Sequence, residues 1–333
     1  MEIIMEHKKK LRKFNIPVFI PHEGCPHDCV FCSQRKITGV QSSVTPKMAD
    51  ELISAAVKTL PDVERNVEVA YFGGSFTGID LDIQEEFLKT ADKYREYIDG
   101  IRLSTRPDYI NREVMELLSK YGVSEIELGV QSSDDGVLAL NKRGHDFEDV
   151  IKAVRLIREY DIGYGLQMMI GMYGSTSDKD IKTAEDIISL KPKTSRIYPT
   201  VTIAGTELEK LYRDGKYEPY SIGEAVEVAA EILKKFRSAG VDVIRIGLHA
   251  GEDLQADGNI VAGPFHPAFG ELVESELMRR EIEKKIIEAN ARDCEFVVSV
   301  PSDMVSKAVG HGKRNKKYFY EKYGIRLKTV VEK

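Results

Sequence analysis

The sequence predicts an α/β fold: six successive β-α units on a parallel sheet with helices outside, followed by a small α/β appendage. Three observations predict it. Short apolar runs of strand character alternate with helix-period segments from Pro17 to Val201. The unusual clusters, three cysteines among them, fall in the loops after those runs, where parallel sheets bind ligands. Beyond Cys294, strand and helix signals repeat on a smaller scale around a glycine turn.

The first run, PVFIP (17–21), is read as a strand, and it leads into the cysteine loop. A helix follows from about Pro46 to Leu60, with the Thr45 side chain as its cap. VEVAYFGG (67–74) is a strand that ends in glycines, followed by a helix from about Leu81 to Tyr97. IRLST (101–105) precedes a helix near 111–121, and SEIELGV (124–130) precedes helices to about Tyr160. GYGLQMMIGM (163–172) precedes a helix near 178–190, and SRIYPTV (195–201) is the sixth strand. A long helix (221–239) then leads to the further strand VDVIRIGL and the Gly-rich loop AGEDLQADGNIVAGPFHPAFG (250–270), flanked by His249 and His266. The tail reads strand (EFVVSV), helix (302–309), turn GHGK, helix (313–323) and strand (IRLKTVV).

At 333 residues, with 42% hydrophobic and 31% charged content, the chain can bury a sizeable core. Its N-terminus lacks the apolar stretch of a secretory signal, and no apolar run approaches the roughly 18 residues that cross a bilayer. The expectation is a cytoplasmic protein with no membrane partner, in which clustered thiols bind metal in preference to forming disulfides. The net charge of −6 is uneven: Ser306 to Lys328 holds eight Lys or Arg against Glu321 alone, so this stretch carries +7 and the remainder −13. A basic segment on an acidic body points to a polyanionic partner, although solvated helix faces also collect charge.

Cys25, Cys29 and Cys32 are spaced C-x3-C-x2-C and hold all but one of the four thiols. Three thiolates are one short of a closed tetrahedral zinc site, which His22 or His27 would complete. Three equally leave one iron of a 4Fe–4S cluster open to an exogenous ligand, with Phe31 beside the last cysteine to pack on it. Zinc alone does not require glycine and polar motifs at successive strand ends, so the pattern favours a cluster. Cys294 reads as a small buried hydrophobe.

This cysteine motif, placed after the first strand, resembles the signature of radical S-adenosylmethionine (radical SAM) enzymes. The resemblance implies a partial (β/α)6 barrel, a 4Fe–4S cluster on the three cysteines, and SAM chelating the open iron. It also implies an external one-electron donor of flavodoxin or ferredoxin type and cleavage of SAM to a 5′-deoxyadenosyl radical. STRPD (104–108), ELGVQSSDDGVLALNKRGH (127–145) and RIYPTVTIAGTELEKLYRDGKYEPYS (196–221) narrow the likeness to the branch of the Elongator catalytic subunit, over about Val18 to Leu248. The implied organisation is a basic N-terminal extension (1–16), a radical SAM partial barrel (17–205), an Elongator-type C-terminal region (206–293) and the appendage (294–333).

The resemblance assigns Gly73, Gly74 and Ser75 to the glycine motif that approaches SAM, and Gln131 and Arg143 to SAM contacts. Gln167 matches a ribose contact, Ser104 stands where relatives often carry Glu, and Tyr198 would face the substrate. Met168 and Met169 are read as adenine-pocket candidates, at least one of them belonging to the core. The appendage resembles a minimal KH motif: Gly310 opens the turn, Lys313 stands where the last glycine belongs, and Lys313, Arg314, Lys316 and Lys317 would meet RNA phosphates. The first cysteine gap is shorter than Elongator's, and the chain leaves no room for an acetyltransferase-like domain, so carboxymethyl-uridine chemistry is not carried over. The resulting expectation is a radical SAM enzyme modifying a tRNA or other RNA nucleoside. A coproporphyrinogen oxidase-like enzyme of small molecules and a non-catalytic zinc- and RNA-binding protein stand as rivals.

Overall fold

The computed structural model describes residues 12–20, 29–33, 44–248 and 258–332, with 254 and 256. Cys25, His22, His27, His249 and most of the extension 1–16 lie outside the described residues. The chain opens with β1 (Arg12–Ile20), α1 (Pro46–Lys58), β2 (Arg65–Gly73), α2 (Leu81–Asp92), β3 (Gly100–Thr105) and α3 (Arg112–Lys120). It continues through β4 (Val123–Gln131), α4 (Asp135–Leu140), α5 (Phe147–Glu159), β5 (Gly163–Ile170), α6 (Ser177–Ser189), β6 (Thr194–Pro199) and β7 (Thr202–Ile203). Then come α7 (Glu207–Arg213), α8 (Ile222–Ser238), β8 (Asp242–Ile246), β9 (Ile260–Ala262) and α9 (Phe269–Glu288). The tail holds β10 (Glu295–Val300), α10 (Val305–Val309), α11 (Arg314–Tyr323) and β11 (Arg326–Val331).

The six expected strands stand side by side in chain order, all parallel, and β8 adds a seventh. The region 206–293 contributes β8 to this same sheet. The first strand starts earlier than the expected Pro17, at Arg12. Pro17 sits inside β1 because this is an edge strand, where a missing N–H is tolerated. Lys13 Nζ lies 3.8 Å from Asp242 Oδ2, so the two edge strands approach at their amino ends. The sheet is curled into a partial barrel.

One strand face is apolar and packs under the helices: Val69, Leu103, Ile126, Leu128, Leu166, Met168 and Ile197 are all fully buried there. Met168 is therefore core, as one of the two methionines was expected to be. The alternate residues face inward, and several are charged. Arg102, 3% exposed, donates to Glu68 (3.0 Å), Glu127 (3.0 Å) and Glu125 (3.2 Å). Arg196 Nη2 donates to Glu127 at 2.8 Å, and Ser124 donates to Glu68 at 3.0 Å. Burial alone would raise the Glu127 carboxyl, but bonds and charges from Arg196 and Arg102 outweigh it and hold the group below its ordinary range.

The appendage has its own core, in which Phe296, Val298, Val300, Ala308, Phe319, Ile325 and Leu327 pack on Met278, Ile282 and Ile286 of α9. The first half of α9 gives Phe269, Val273 and Leu277 to the barrel core. Sequence reading missed this helix because its apolar residues serve two cores and form no single stripe. β10 and β11 pair in parallel, with α10, α11 and a tight His311–Lys313 turn between them in sequence.

Replacing Arg102 by Ala leaves three buried carboxylates short of a partner. The expected cost is about 3–5 kcal/mol in urea unfolding, and a loss below about 1 kcal/mol would contradict a structural role for the network.

Candidate active site

At the carboxyl end of β2 the chain folds back on β1. Gly74 N–H donates to the Ile20 carbonyl at 2.9 Å, and Gly73 has a φ of +115°. A Cβ on Gly73 would stand 2.9 Å from the Ile20 oxygen, so glycine is required there. Ser75, 1% exposed, is bonded to Thr105 Oγ1 at 2.8 Å and accepts from Arg106 N–H at 3.2 Å. Its hydroxyl thus joins β2 to β3. Ser104 lines a small cavity with Ile20, Tyr71, Phe72, Gly74 and Phe76.

Cys29 and Cys32 share one turn, closed by Cys32 N–H donating to the Cys29 carbonyl at 2.9 Å. Three segments distant in sequence hold it. Val30 N–H donates to the Asn141 carbonyl (3.3 Å), and the Val30 carbonyl accepts from Leu208 N–H (2.7 Å) at the start of α7. The buried Asn141 amide donates to the carbonyls of Val137 and Tyr173, both at 2.8 Å. Phe31 packs on the small cluster of Val30, Leu208 and Tyr217. Its ring therefore braces the loop.

Arg143, 7% exposed, donates from Nη1 to Cys29 Sγ at 3.2 Å and from Nη2 to the Gly129 carbonyl at 2.9 Å. Gln131 adopts φ +68°, and its Oε1 is buried with no partner among the described residues. A Cβ on Gly129 would stand 2.9 Å from Gln131 Nε2 and 3.4 Å from Arg143 Nη2, so both side chains lie close over this glycine. Cys29, Gln131 and Arg143 are thus brought together at the end of β4. A buried acceptor without a donor among the described residues, beside a guanidinium and the Cys29 thiol, fits a ligand that carries an ammonium and a carboxylate.

From this point a polar chain crosses the inner face of the sheet. Gln167 Nε2 donates to Ser104 Oγ (3.4 Å) and Glu127 Oε2 (3.0 Å). Glu127 accepts from Arg196, whose Nη1 donates to the Tyr198 hydroxyl at 3.3 Å. Ser104, Gln167 and Tyr198, three candidates from separate strands, are therefore linked through Glu127 and Arg196. Sequence reading missed both linking residues, as it missed Asn141. The available signal was charge at alternate positions of otherwise apolar strands.

In the appendage, Gly310 (φ +80°) packs on Asn315, whose amide donates to the carbonyls of Ser275 (3.0 Å), Lys307 (3.1 Å) and Ala308 (3.3 Å). The turn is thereby tied to α9, and His311 meets the barrel's His266 edge to face at 5.4 Å between ring centres. Lys313 and Arg314 are exposed, and neither forms an ion pair among the described residues. Lys317 stands 3.7 Å from Glu321, an exposed pair, while Lys316 is half-buried. Cys294 is half-buried against the appendage core, in keeping with a small hydrophobe.

A model of the radical SAM superfamily matches residues 19–187, and one of the radical SAM C-terminal domain matches 192–279. The chain is 27% identical over 313 residues to the tRNA uridine(34) acetyltransferase of Methanocaldococcus jannaschii, covering 82% of this chain and 57% of that one. It is 26% identical over 259 residues to human Elongator complex protein 3, covering 64% and 47%. The solved structure of Methanocaldococcus infernus Elp3 with residues 1–46 deleted superposes with a TM-score of 0.64 at 26% identity, over 83% of this chain and 64% of that one. The chain spans about half the length of the curated relatives it matches. No helix among the described residues is long and apolar enough to cross a membrane.

Two buried groups beside these loops give opposite pH signatures. Burial, with the charges of Arg143 and Arg106, lowers His145 from its ordinary 6.5 to about 4, so its stabilising contribution is complete above 6.5 and lost as pH falls toward 4. Burial raises Asp180 from 3.8 to about 6 despite bonds from Ser175, Gly171 and Tyr220, so its contribution is complete below 3.8 and lost as pH rises through 6. Each amounts to about 3 kcal/mol at full extent. In urea unfolding from pH 4 to 7, His145→Phe is expected to reduce the acid loss of stability and Asp180→Asn to increase it. Shifts in the same direction would refute the assignment.

Proposed function

Because the chain belongs to the radical SAM superfamily, we propose that it is an enzyme in which Cys25, Cys29 and Cys32 hold a 4Fe–4S cluster with SAM beside it. The single observation that carries this reading is the meeting of the Cys29 thiol, the Arg143 guanidinium and the partnerless Gln131 oxygen at the end of β4. Soft thiolates suit iron–sulfur, and the neighbouring polar groups suit the amino-acid end of SAM. Bound there, the pair would supply one-electron reductive cleavage of SAM to a 5′-deoxyadenosyl radical, the electron coming from a flavodoxin- or ferredoxin-type donor.

This chain's residues would orient the pair. Gly73 and Gly74 hold the end of β2 close against Ile20 of β1, which sets where the loop toward the cysteine turn begins. Glu127 accepts from Nε2 of Gln167, which leaves the amide oxygen to take a ligand hydroxyl alongside Ser104. Arg196 holds the Tyr198 phenol on the inner face, where it would meet the substrate.

The substrate proposed is a tRNA nucleoside, and the setting is cytoplasmic. The tRNA-directed activity named for the archaeal relative and the basic appendage both support this. Lys313 and Arg314 would contact phosphates at the turn opened by Gly310, with Lys316 and Lys317 beside them, positioning the RNA without reading its sequence. Acetyl transfer, named for the longer relatives, is not part of the proposal.

Anaerobic reconstitution with iron and sulfide should give a 4Fe–4S absorbance and, under reduction, 5′-deoxyadenosine from SAM, both abolished by Cys29→Ala. Bound zinc without iron would favour the non-catalytic rival. For RNA, Lys313→Ala with Arg314→Ala should weaken tRNA binding and lower the slope of log affinity against log salt by about 2. An unchanged slope would remove the appendage from the RNA site and leave a small-molecule substrate as the better reading.

A further inference from the structure

Two buried guanidinium groups lie behind the cysteine turn, and they are treated differently. Arg106 is matched by a carboxylate, donating to Asp108 through two bonds of 3.0 and 2.9 Å. Arg143 has no carboxylate partner among the described residues. Its Nη2 is fixed by the Gly129 carbonyl, its Nε is buried without a partner there, and its Nη1 points at Cys29 Sγ. A guanidinium cannot shed its proton, so burying one calls for a counter-charge. The atom in place to provide it is the Cys29 sulfur.

The local chain enforces this contact. Asn141, two positions earlier, holds the Val30 backbone through its carbonyl, and the Arg143 carbonyl accepts from Arg106. One turn therefore grips the cysteine loop twice, by its backbone and by its sulfur.

We propose that Arg143 is a positioning residue for the cluster itself, setting its reduction potential through a charged hydrogen bond to the Cys29 sulfur. The inference rests on the cluster reading above. A donor at a ligand sulfur favours whichever charge state is more negative. Arg143 thereby favours acceptance of the single electron delivered by the external donor, before SAM is engaged.

The test is an EPR-monitored redox titration of the reconstituted full chain without SAM, paired with SAM affinity. Arg143→Gln should shift the midpoint to more negative potential. Arg143→Lys, which keeps the charge but not the reach of the fork, should shift it less in the same direction. If the glutamine variant retains no iron, the lysine variant carries the measurement. A midpoint equal to wild type with weakened SAM binding would overturn the proposal and return Arg143 to the carboxylate alone. Wild-type protein that takes up no 4Fe–4S cluster would instead overturn the functional reading on which it stands.

Discussion

Three carboxylates and two guanidinium groups fill the inside of the curved sheet, and the rest of the architecture depends on their mutual neutralisation. Glu68, Arg102, Glu125, Glu127 and Arg196 come from β2, β3, β4 and β6, so the pairings also fix strand register and curvature, the last of them reaching across β5. A hydrophobic interior would satisfy packing equally well. A charged one leaves donors and acceptors in a fixed order from the middle of the barrel toward its carboxyl end. Gln167, Ser104 and Tyr198 inherit their orientation from that order.

The cysteine turn is positioned by a different device. Cys29 and Cys32 lie in a short described stretch, yet the turn takes support from Asn141, Arg143 and Leu208. Phe31 adds apolar contact with the cluster of Val30, Leu208 and Tyr217. The segment after β7 therefore shapes the site as well as extending the barrel. Its match to a separate C-terminal family model sits well with that division of labour. The appendage is held through α9, which shares its two halves between the two cores, so the glycine turn keeps a fixed place beside the barrel loop of His266.

Much of this was legible in the residues. Apolar runs alternating with helix-period segments placed six strands and their parallel sense, because a β-α repeat brings successive strands into a sheet in one direction. The Cys motif, Gln131 and Arg143 were legible from spacing and resemblance, and the structure brings Cys29, Gln131 and Arg143 together. Residues whose roles arise from contacts far along the chain were not legible. Asn141 looks like a helix end until Val30 arrives, and Glu127 and Arg196 look like surface charges until the sheet curls. Ser75 illustrates the converse: it stood in a ligand motif, but its hydroxyl is occupied by Thr105 and Arg106.

The central claim is that the cysteine loop and the end of β4 together hold an iron–sulfur cluster with an amino-acid ligand on its open iron. The most direct measurement is electron-nuclear double resonance of the reduced, reconstituted protein with SAM labelled by nitrogen-15 at its amino group. The account predicts a nitrogen-15 coupling to the cluster spin that disappears when labelled SAM is replaced by unlabelled. A reduced cluster whose spectrum is the same with and without SAM would contradict it.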